Sequence, residues 1–190
     1  MRIGIFGGTF DPPHIGHLLA ATDACELLEL DQLIFVPTAT QPLKAGAPVT
    51  AAEERLEMVR LLCGADPRFR VSDVEVRRGG LSFTVDTLRA FREQWPAETA
   101  DLVLLLGGDA AAQFPHWKEP ETVQALAQVV VMTRGAQSVP GLATGMTTVA
   151  TRRVDVSSTE VRERIRGGRT VRGLVTDGVA AYIERRGLYR

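Results

Sequence analysis

The chain has few of the residues that build metal sites and disulfide frameworks. Among 190 residues there are two cysteines, Cys25 and Cys63, and three histidines. Both cysteines fall within apolar patterns typical of helices, without the spacing of a disulfide or zinc site, so we interpret them as small core residues of a reduced protein. No apolar run approaches the ~18 residues of a transmembrane helix, and the first residues indicate a strand rather than a signal peptide.

An excess of charge of either sign is also missing. The chain has 22 Lys and Arg against 23 Asp and Glu, a net charge of -1, and 45% of its residues are hydrophobic. Such a balance gives no general attraction to nucleic acid or to anionic membranes. We therefore expect a cytoplasmic protein with one buried core, without nucleic-acid or membrane partners, in which any polyanion binds locally.

Short apolar segments alternate with helical patterns along the chain. The predicted strands are 2–6, 32–37, 68–76, 101–107 and 128–134. Three predicted helices span 15–30, 84–95 and 178–187. Another begins with a capping box at 50–53 and runs to 62, and a further helix begins at 157. This alternation predicts an α/β fold: a single Rossmann-like, doubly wound parallel sheet with helices on both faces. We assign 1–155 to the α/β core and 156–190 to a small C-terminal helical part.

Parallel sheets bind ligands at the carboxyl ends of their strands, and the segment after the first predicted strand, Gly7 to His17, is unusual. Gly7 and Gly8 let the backbone turn and approach a ligand closely. His14 and His17 lie three residues apart at the start of the next predicted helix, where free N–H groups and the helix dipole favour anions. Two imidazoles beside such a terminus predict a phosphate site, and protonation would strengthen their hydrogen bonds.

Two common nucleotide motifs and a zinc site are disfavoured. The segment fits neither the G-x-G-x-x-G dinucleotide fingerprint nor the G-x-x-x-x-G-K-[ST] loop. The third histidine, His116, is distant in sequence, and neither cysteine follows a strand. A nicotinamide-dependent dehydrogenase and a P-loop kinase are therefore not indicated.

The same segment, GGTFDPPHIGH, resembles the H-x-G-H signature of the nucleotidyltransferase superfamily. Its long form resembles that of bacterial nicotinate mononucleotide adenylyltransferases, and the likeness extends over nearly the whole chain. It continues in LSFTVDTL, LGGDAAAQFPHW, VVVMTRGA, VSSTEVR and GVAAYIERRGLY. Three positions depart from the family pattern: Leu43 replaces a histidine before Lys44, Gly135-Ala136 replaces Pro-Gly, and Phe83 replaces a tyrosine.

The resemblance implies that ATP and nicotinate mononucleotide react to form nicotinate adenine dinucleotide and pyrophosphate in NAD biosynthesis. It also implies a direct in-line attack without a covalent enzyme intermediate. The implied catalytic residues are His14, His17, Lys44 and Arg162. The implied ATP-binding residues are Gly7, Gly8, Thr9, Phe10, Gly107, Asp109, Arg134, Ser157, Ser158 and Thr159. The implied mononucleotide-binding residues are Thr84, Asp109 and Trp117. Mg²⁺ is expected to arrive with ATP, held by phosphates and water, without metal ligands from the chain.

Other functions stay open. A small adenylyltransferase for phosphopantetheine would share the H-x-G-H and Ser-Thr-Arg motifs, although LSFTVDTL and Trp117 favour a pyridine mononucleotide. A nucleotide-sensing module could keep the fold without turnover, although His14, His17 and Arg162 are all present. An aminoacyl-tRNA synthetase is disfavoured because 190 residues leave no room for tRNA-binding domains. The choice between nicotinate and nicotinamide mononucleotide, and a homo-oligomeric state, are left open.

Overall fold

A computed structural model describes residues 1–42, 49–64, 66–135 and 142–190. Six strands alternate with helices: β1 Arg2–Gly8, β2 Gln32–Pro37, β3 Phe69–Val71, β4 Asp101–Gly107, β5 Gln128–Arg134 and β6 Thr147–Thr151. The helices are α1 Ile15–Leu27, α2 Ala52–Cys63, α3 Val74–Arg78, α4 Thr84–Gln94, α5 Gly108–Gln113, α6 Pro120–Leu126, α7 Ser158–Arg166 and α8 Asp177–Arg186, with a short 3-10 helix at Phe114–His116.

The strands form one parallel sheet in the order β3-β2-β1-β4-β5-β6. This is the strand order of a Rossmann-like fold, and it reverses direction between β1 and β4. The predicted fold class is confirmed. A crevice at the carboxyl ends of these two strands is where such a sheet binds its ligand.

Side chains of the central strands alternate between two apolar cores. Phe6, Val103 and Leu105 pack with α1, α2, α7 and α8 on one face of the sheet, and Ile5 and Leu104 pack with α4, α5 and α6 on the other. Both faces are thus buried, which explains why these strands are nearly continuous apolar runs.

The cysteines belong to the first of these cores. Cys25 and Cys63 are free and buried, and burial raises the pKa of their thiols to about 11 and about 12. Both thiols therefore stay protonated near neutral pH, as expected of core residues rather than of nucleophiles. None of the described helices has the length and apolar character needed to cross a membrane.

The predicted strand 68–76 is wrong in its second half. Only Phe69–Val71 pairs with β2, and Val74–Arg78 is a helix. The last ladder bond is donated by Ser72 N–H to Phe35 O, after which the Ser72 hydroxyl accepts a hydrogen bond from Val74 N–H. Such a local side-chain bond competes with the ladder and turns the chain out of the sheet.

Smaller differences have similar local causes. The first helix ends at Leu27 instead of 30, and α2 begins after Ala51 without a side-chain cap, so the predicted capping box at Thr50 is wrong. Thr50 instead presents its carbonyl oxygen to the Arg55 guanidinium.

Two elements were not predicted. Strand β6 is a threonine-rich edge strand with mostly exposed side chains, and helix α6 is only seven residues long.

Candidate active site

The turn that follows β1 is joined directly to the start of α7, and we call this contact the turn–α7 junction (residues 11–17 and 157–162). Arg162 Nη1 donates to Asp11 O at 2.7 Å, and Ser158 Oγ donates to Pro12 O at 2.8 Å. These bonds connect segments about 150 residues apart in the sequence. The structure therefore brings His14, His17 and Arg162 to one end of the sheet.

The two imidazoles at this junction are stacked. Their ring centroids lie 3.7 Å apart with planes tilted by 31°. His14 backbone N–H donates to His17 Nδ1 at 3.1 Å, while His17 N–H donates to His14 O at 2.9 Å. Because Nδ1 of His17 accepts this bond, the proton of a neutral His17 ring sits on Nε2, which makes Nε2–H a donor.

Apolar packing keeps His17 uncharged. Its ring meets Phe10 edge-on at 5.0 Å and lies 6.1 Å from Phe6. Burial, and then the nearby His14 ring, hold the pKa of His17 well below its ordinary value of 6.5. His17 is therefore a neutral hydrogen-bond donor near pH 7, rather than the protonated imidazole considered from the sequence.

Glycine is required beside this aromatic packing. A Cβ at Gly8 would lie 2.9 Å from the ring of Phe10, closer than side chains tolerate. Phe10 itself has a positive φ of 50° and its side chain is buried in the core, so only its backbone faces the turn. The predicted ATP-binding residue Phe10 thus shapes the turn from inside.

The start of α7 has the predicted cap. Ser157 Oγ accepts from Glu160 N–H at 3.1 Å, and Arg162 Nη2 donates to Thr159 Oγ1 at 3.1 Å. The hydroxyl of Ser158 is occupied by Pro12 O, which leaves its backbone N–H in the first turn for a ligand. This nine-residue helix and α1 both direct their N-termini towards the junction, an arrangement that suits an anion.

A cleft of about 610 Å³ opens beside the junction, at the carboxyl ends of β1 and β4. Its size lies within the usual range for small-molecule sites. The predicted site residues in its lining are Gly7, Gly8, Thr9, Thr84, Gly107, Asp109 and Trp117. Gly7 to Thr9 therefore belong to the cleft wall and lead from it to the histidines.

Trp117 and Asp109 also line the cleft. The Trp117 ring is half-buried and packs against Phe114 with centroids 5.4 Å apart, leaving part of its surface towards the cleft. Asp109 is exposed in the first turn of α5. Thr84 is the first residue of α4, so its backbone N–H lacks an intrahelical acceptor.

Some predicted positions are not placed. Lys44, with its neighbour Leu43, lies outside the described residues, as does Ala136. The backbone of Arg134 ends β5 at the carboxyl edge of the sheet, while its side chain lies outside the description.

Sequence reasoning missed Arg55, a buried guanidinium that joins the loops around the cleft. Its side chain is 1% exposed. It donates to carbonyl oxygens of Thr9 at 2.7 Å, of Thr50 at 2.8 Å, and of Thr38 and Ala39 at 2.7 and 2.9 Å. Burial lowers the pKa of Arg55, and the Asp11 carboxylate acts in the opposite direction. The signal was an arginine placed among the apolar positions of α2.

Sequence reasoning also missed the anchor of Asp11. The Tyr189 hydroxyl donates to Asp11 Oδ1 at 2.6 Å, and Thr50 N–H donates to Asp11 Oδ2 at 3.4 Å. Burial, together with Asp11, raises the pKa of Tyr189. No local pattern links residues 11 and 189, because their contact exists only in the folded chain.

Comparison with known proteins identifies the family of the chain. A family model described as cytidylyltransferase-like matches residues 5–164. The chain is 48% identical over 201 residues to a protein of Gemmatimonas aurantiaca named "Probable nicotinate-nucleotide adenylyltransferase", covering 100% of this chain and 93% of that protein. It is 44% identical to a protein of the same name from Thermus thermophilus, with 100% of both chains covered.

Solved structures show the same fold. The Plasmodium falciparum nicotinic acid mononucleotide adenylyltransferase complexed with NaAD matches with a TM-score of 0.81 at 18% identity, covering 99% of this chain and 97% of that chain. The same enzyme complexed with APC matches with a TM-score of 0.79. From the family model and the two bacterial relatives, we conclude that the chain is a nucleotidyltransferase that belongs to the cytidylyltransferase-like family and, within it, to the nicotinate-nucleotide adenylyltransferases.

Proposed function

We propose that this enzyme joins ATP and nicotinate mononucleotide, releasing pyrophosphate and forming nicotinate adenine dinucleotide for NAD biosynthesis. The names of the bacterial relatives support this substrate pair. The observation that carries it is the turn–α7 junction, where Arg162 is bonded to the turn that leads to His14 and His17, beside a cleft lined by Trp117. Donors for a triphosphate and a surface for a flat ring thus lie side by side.

The reaction is an in-line displacement at phosphorus. An oxygen of the mononucleotide phosphate forms a bond to the α-phosphorus of ATP, while the bond from that phosphorus to the pyrophosphate oxygen breaks. The nucleophile is already an anion, so it needs neither a general base nor a covalent enzyme intermediate. The task of the protein is to position both phosphates and to stabilise charge on the oxygens of the transferred and leaving groups.

The junction supplies this stabilisation from fixed groups. Nε2–H of His17 donates as a neutral imidazole, and N–H groups in the first turn of α7 add further donors. Arg162 uses two of its five N–H donors for the bonds to Asp11 O and Thr159 Oγ1, so its other N–H groups can donate to phosphate oxygens. Lys44 is proposed to add a further positive charge from the loop after β2.

Mg²⁺ enters as part of the substrate, Mg-ATP. In the described ranges no three His, Cys, Asp or Glu side chains lie together as a metal cage. The donors at the junction are imidazole, guanidinium and backbone N–H groups, which suit phosphate oxygens. We propose that phosphates and water hold the ion, which neutralises part of the triphosphate charge.

The cleft is proposed to take the mononucleotide. The pyridine ring would stack on Trp117, with the N–H of Thr84 near its substituent and Asp109 accepting from ribose hydroxyls. Stacking needs a flat partner, which favours a pyridine nucleotide over phosphopantetheine.

One assay tests the function: purified enzyme with Mg-ATP and, separately, nicotinate mononucleotide, nicotinamide mononucleotide or phosphopantetheine, with pyrophosphate and dinucleotide measured. We expect turnover with the pyridine mononucleotides, fastest with the acid. Product with phosphopantetheine alone would reject the substrate assignment. Binding of ATP without pyrophosphate release from any acceptor would instead support a nucleotide sensor.

A further inference from the structure

Glu75 is a buried carboxyl group that takes no part in the proposed reaction. It lies in the first turn of the short helix α3, is 5% exposed, and lines the cleft together with Thr84 and Trp117. The following arginines of α3, Arg77 and Arg78, are exposed. Removing a carboxyl group from water is costly unless partners compensate it, so its inward position needs a specific reason.

Only one of the two carboxyl oxygens has a partner in the part of the chain that the structure describes. Thr87 Oγ1 lies 2.6 Å from Glu75 Oε1, and Arg78 Nη2 donates to the same hydroxyl at 3.1 Å. Since a threonine hydroxyl carries a single proton and accepts from Arg78, we assign that proton to the bond with Oε1. Oε2 is sealed from solvent and has no hydrogen bond of normal geometry to a described residue, while the nearby Ser82 hydroxyl acts on the same carboxyl group.

We propose that Glu75 is a specificity-determining residue of the mononucleotide cleft: held by Thr87, its uncharged carboxyl group donates a hydrogen bond from Oε2 to the anionic substituent of the pyridine ring. This rests on the proposed function. A donor aimed at a carboxylate makes a charge-assisted bond, which a carboxamide acceptor would form more weakly. An ionised Glu75 would instead repel the acid and accept from the amide.

The surroundings of Glu75 favour the neutral form. Burial raises the pKa of Glu75, while the hydroxyls of Thr87 and Ser82 and the guanidinium groups of Arg78 and Arg55 act in the opposite direction without cancelling it. A carboxylate bound nearby would favour the protonated form further, because two like charges resist sharing one site.

Among the residues that the structure describes, the other ionisable groups around the cleft do not supply an obvious counter-charge. Strand β2, against which α3 packs, has the sequence QLIFVP and presents no charge. Among the cleft-lining residues, His116 and Asp109 are exposed. The Lys118 ammonium group is paired with Asp86 Oδ2 at 3.0 Å. A neutral carboxyl donor at Glu75 would therefore explain a preference for nicotinate over nicotinamide mononucleotide.

Two substitutions by side chains of similar size distinguish the effect of the hydrogen-bond donor at position 75 from the effect of side-chain volume there. Glu75→Gln keeps an uncharged group with a donor, whereas Glu75→Met keeps the length but removes donor and acceptor. Glu93→Gln, on the exposed side of α4, is the matched control. For each enzyme, kcat/KM is measured with nicotinate and with nicotinamide mononucleotide at saturating Mg-ATP, and the KM for ATP is measured separately.

We expect Glu75→Gln and Glu93→Gln to keep the acid-to-amide ratio of kcat/KM within about threefold of wild type. Glu75→Met should lower that ratio about 10- to 100-fold, mainly through a higher KM for the acid, which is the range of a hydrogen bond to a charged group. The KM for ATP should stay unchanged. If Glu75→Met does not fold, Thr87→Val, which removes the hydroxyl that orients Glu75, should lower the ratio in the same direction.

Three results would overturn the inference while leaving the proposed function intact: an unchanged ratio in Glu75→Met, an equal loss in Glu75→Gln and Glu75→Met, or a rise in the ratio in either variant. The last would show that Glu75 is ionised and rejects the acid. A wild-type enzyme that uses neither mononucleotide would overturn the proposed function and this inference together.

Discussion

The turn–α7 junction and the neighbouring cleft differ in what holds them together. At the junction, polar groups are bonded to one another across the chain, as Arg162 is to Asp11 O and Tyr189 to the Asp11 carboxylate. The cleft is walled by strand ends and by aromatic or apolar side chains such as Trp117 and Leu106, interspersed with polar side chains. A rigid set of donors suits a transition state that gains charge, whereas a shaped cleft selects the partner.

The largest effect is expected from His17→Ala. Loss of one oriented donor to the reacting phosphates should reduce kcat/KM by about 10²–10³-fold, as for other oxyanion donors. The melting temperature checks that the fold persists. His116→Ala, an exposed histidine of the cleft wall, is the control, and its effect should be confined to the KM of the mononucleotide. Equal losses in both variants would remove the distinction between junction and cleft.

Arg55→Met should lower the free energy of unfolding by about 2–4 kcal/mol, because carbonyl oxygens of Thr9, Thr38, Ala39 and Thr50 would lose a buried donor. Chemical denaturation measures this change. Arg60→Met, on the exposed face of the same helix, is the control and should change stability by less than about 0.5 kcal/mol. Similar values for the two would show that Arg55 does not tie the loops together.

Trp117→Ala should raise the KM for nicotinate mononucleotide by about 2- to 10-fold, in line with the energy of one aromatic stacking contact. The KM for ATP should be unaffected, since Trp117 lies on the cleft side. Trp95→Ala, which alters a half-buried tryptophan at the end of α4 outside the cleft lining, controls for lost packing. A rise in the KM for ATP with Trp117→Ala would contradict the division of the site.

The last expected effect is a pH dependence of stability. The pKa of His17 is lower in the folded protein than its ordinary value of 6.5. The stabilisation from neutral His17 is therefore complete above that value and is lost as pH falls from it towards the folded pKa, with a slope of up to about 1.4 kcal/mol per pH unit. Denaturation curves between about pH 7.5 and 5 should show a shallower slope in His17→Gln than in wild type. Identical slopes would mean that His17 is not desolvated.

Much of the architecture was accessible from local patterns. Continuous apolar strands separated by helices predicted the parallel sheet, and the segment Gly7 to His17 could be assigned to its ligand-binding edge because it follows the first strand. The Ser157 cap was predicted because Ser157 and Glu160 stand at the spacing of a cap, and the cap bond is present. The roles of these residues towards substrates stay predictions.

Other features left little local signal. The sequence of helix α3 alternates between apolar and polar residues, which fits a strand equally well. The hydrogen bond to the Ser72 hydroxyl, which ends β3, is visible only in the folded chain. Glu75 resembles any surface glutamate in sequence. Its burial depends on α3 folding back over β2, which places it against Thr87 of α4.

The sequence by itself determined the alternation of strands and helices, the glycine turn and the two histidines at a helix start, because hydrophobic periodicity and backbone preference act over a few residues. Only the tertiary structure decided which distant groups meet: Arg162 and Tyr189 on Asp11, Arg55 on the loops that follow β1 and β2, and Glu75 on the cleft wall. Hydrogen bonds, burial and pKa shifts depend on neighbours in space, and those neighbours are set by packing of the whole chain.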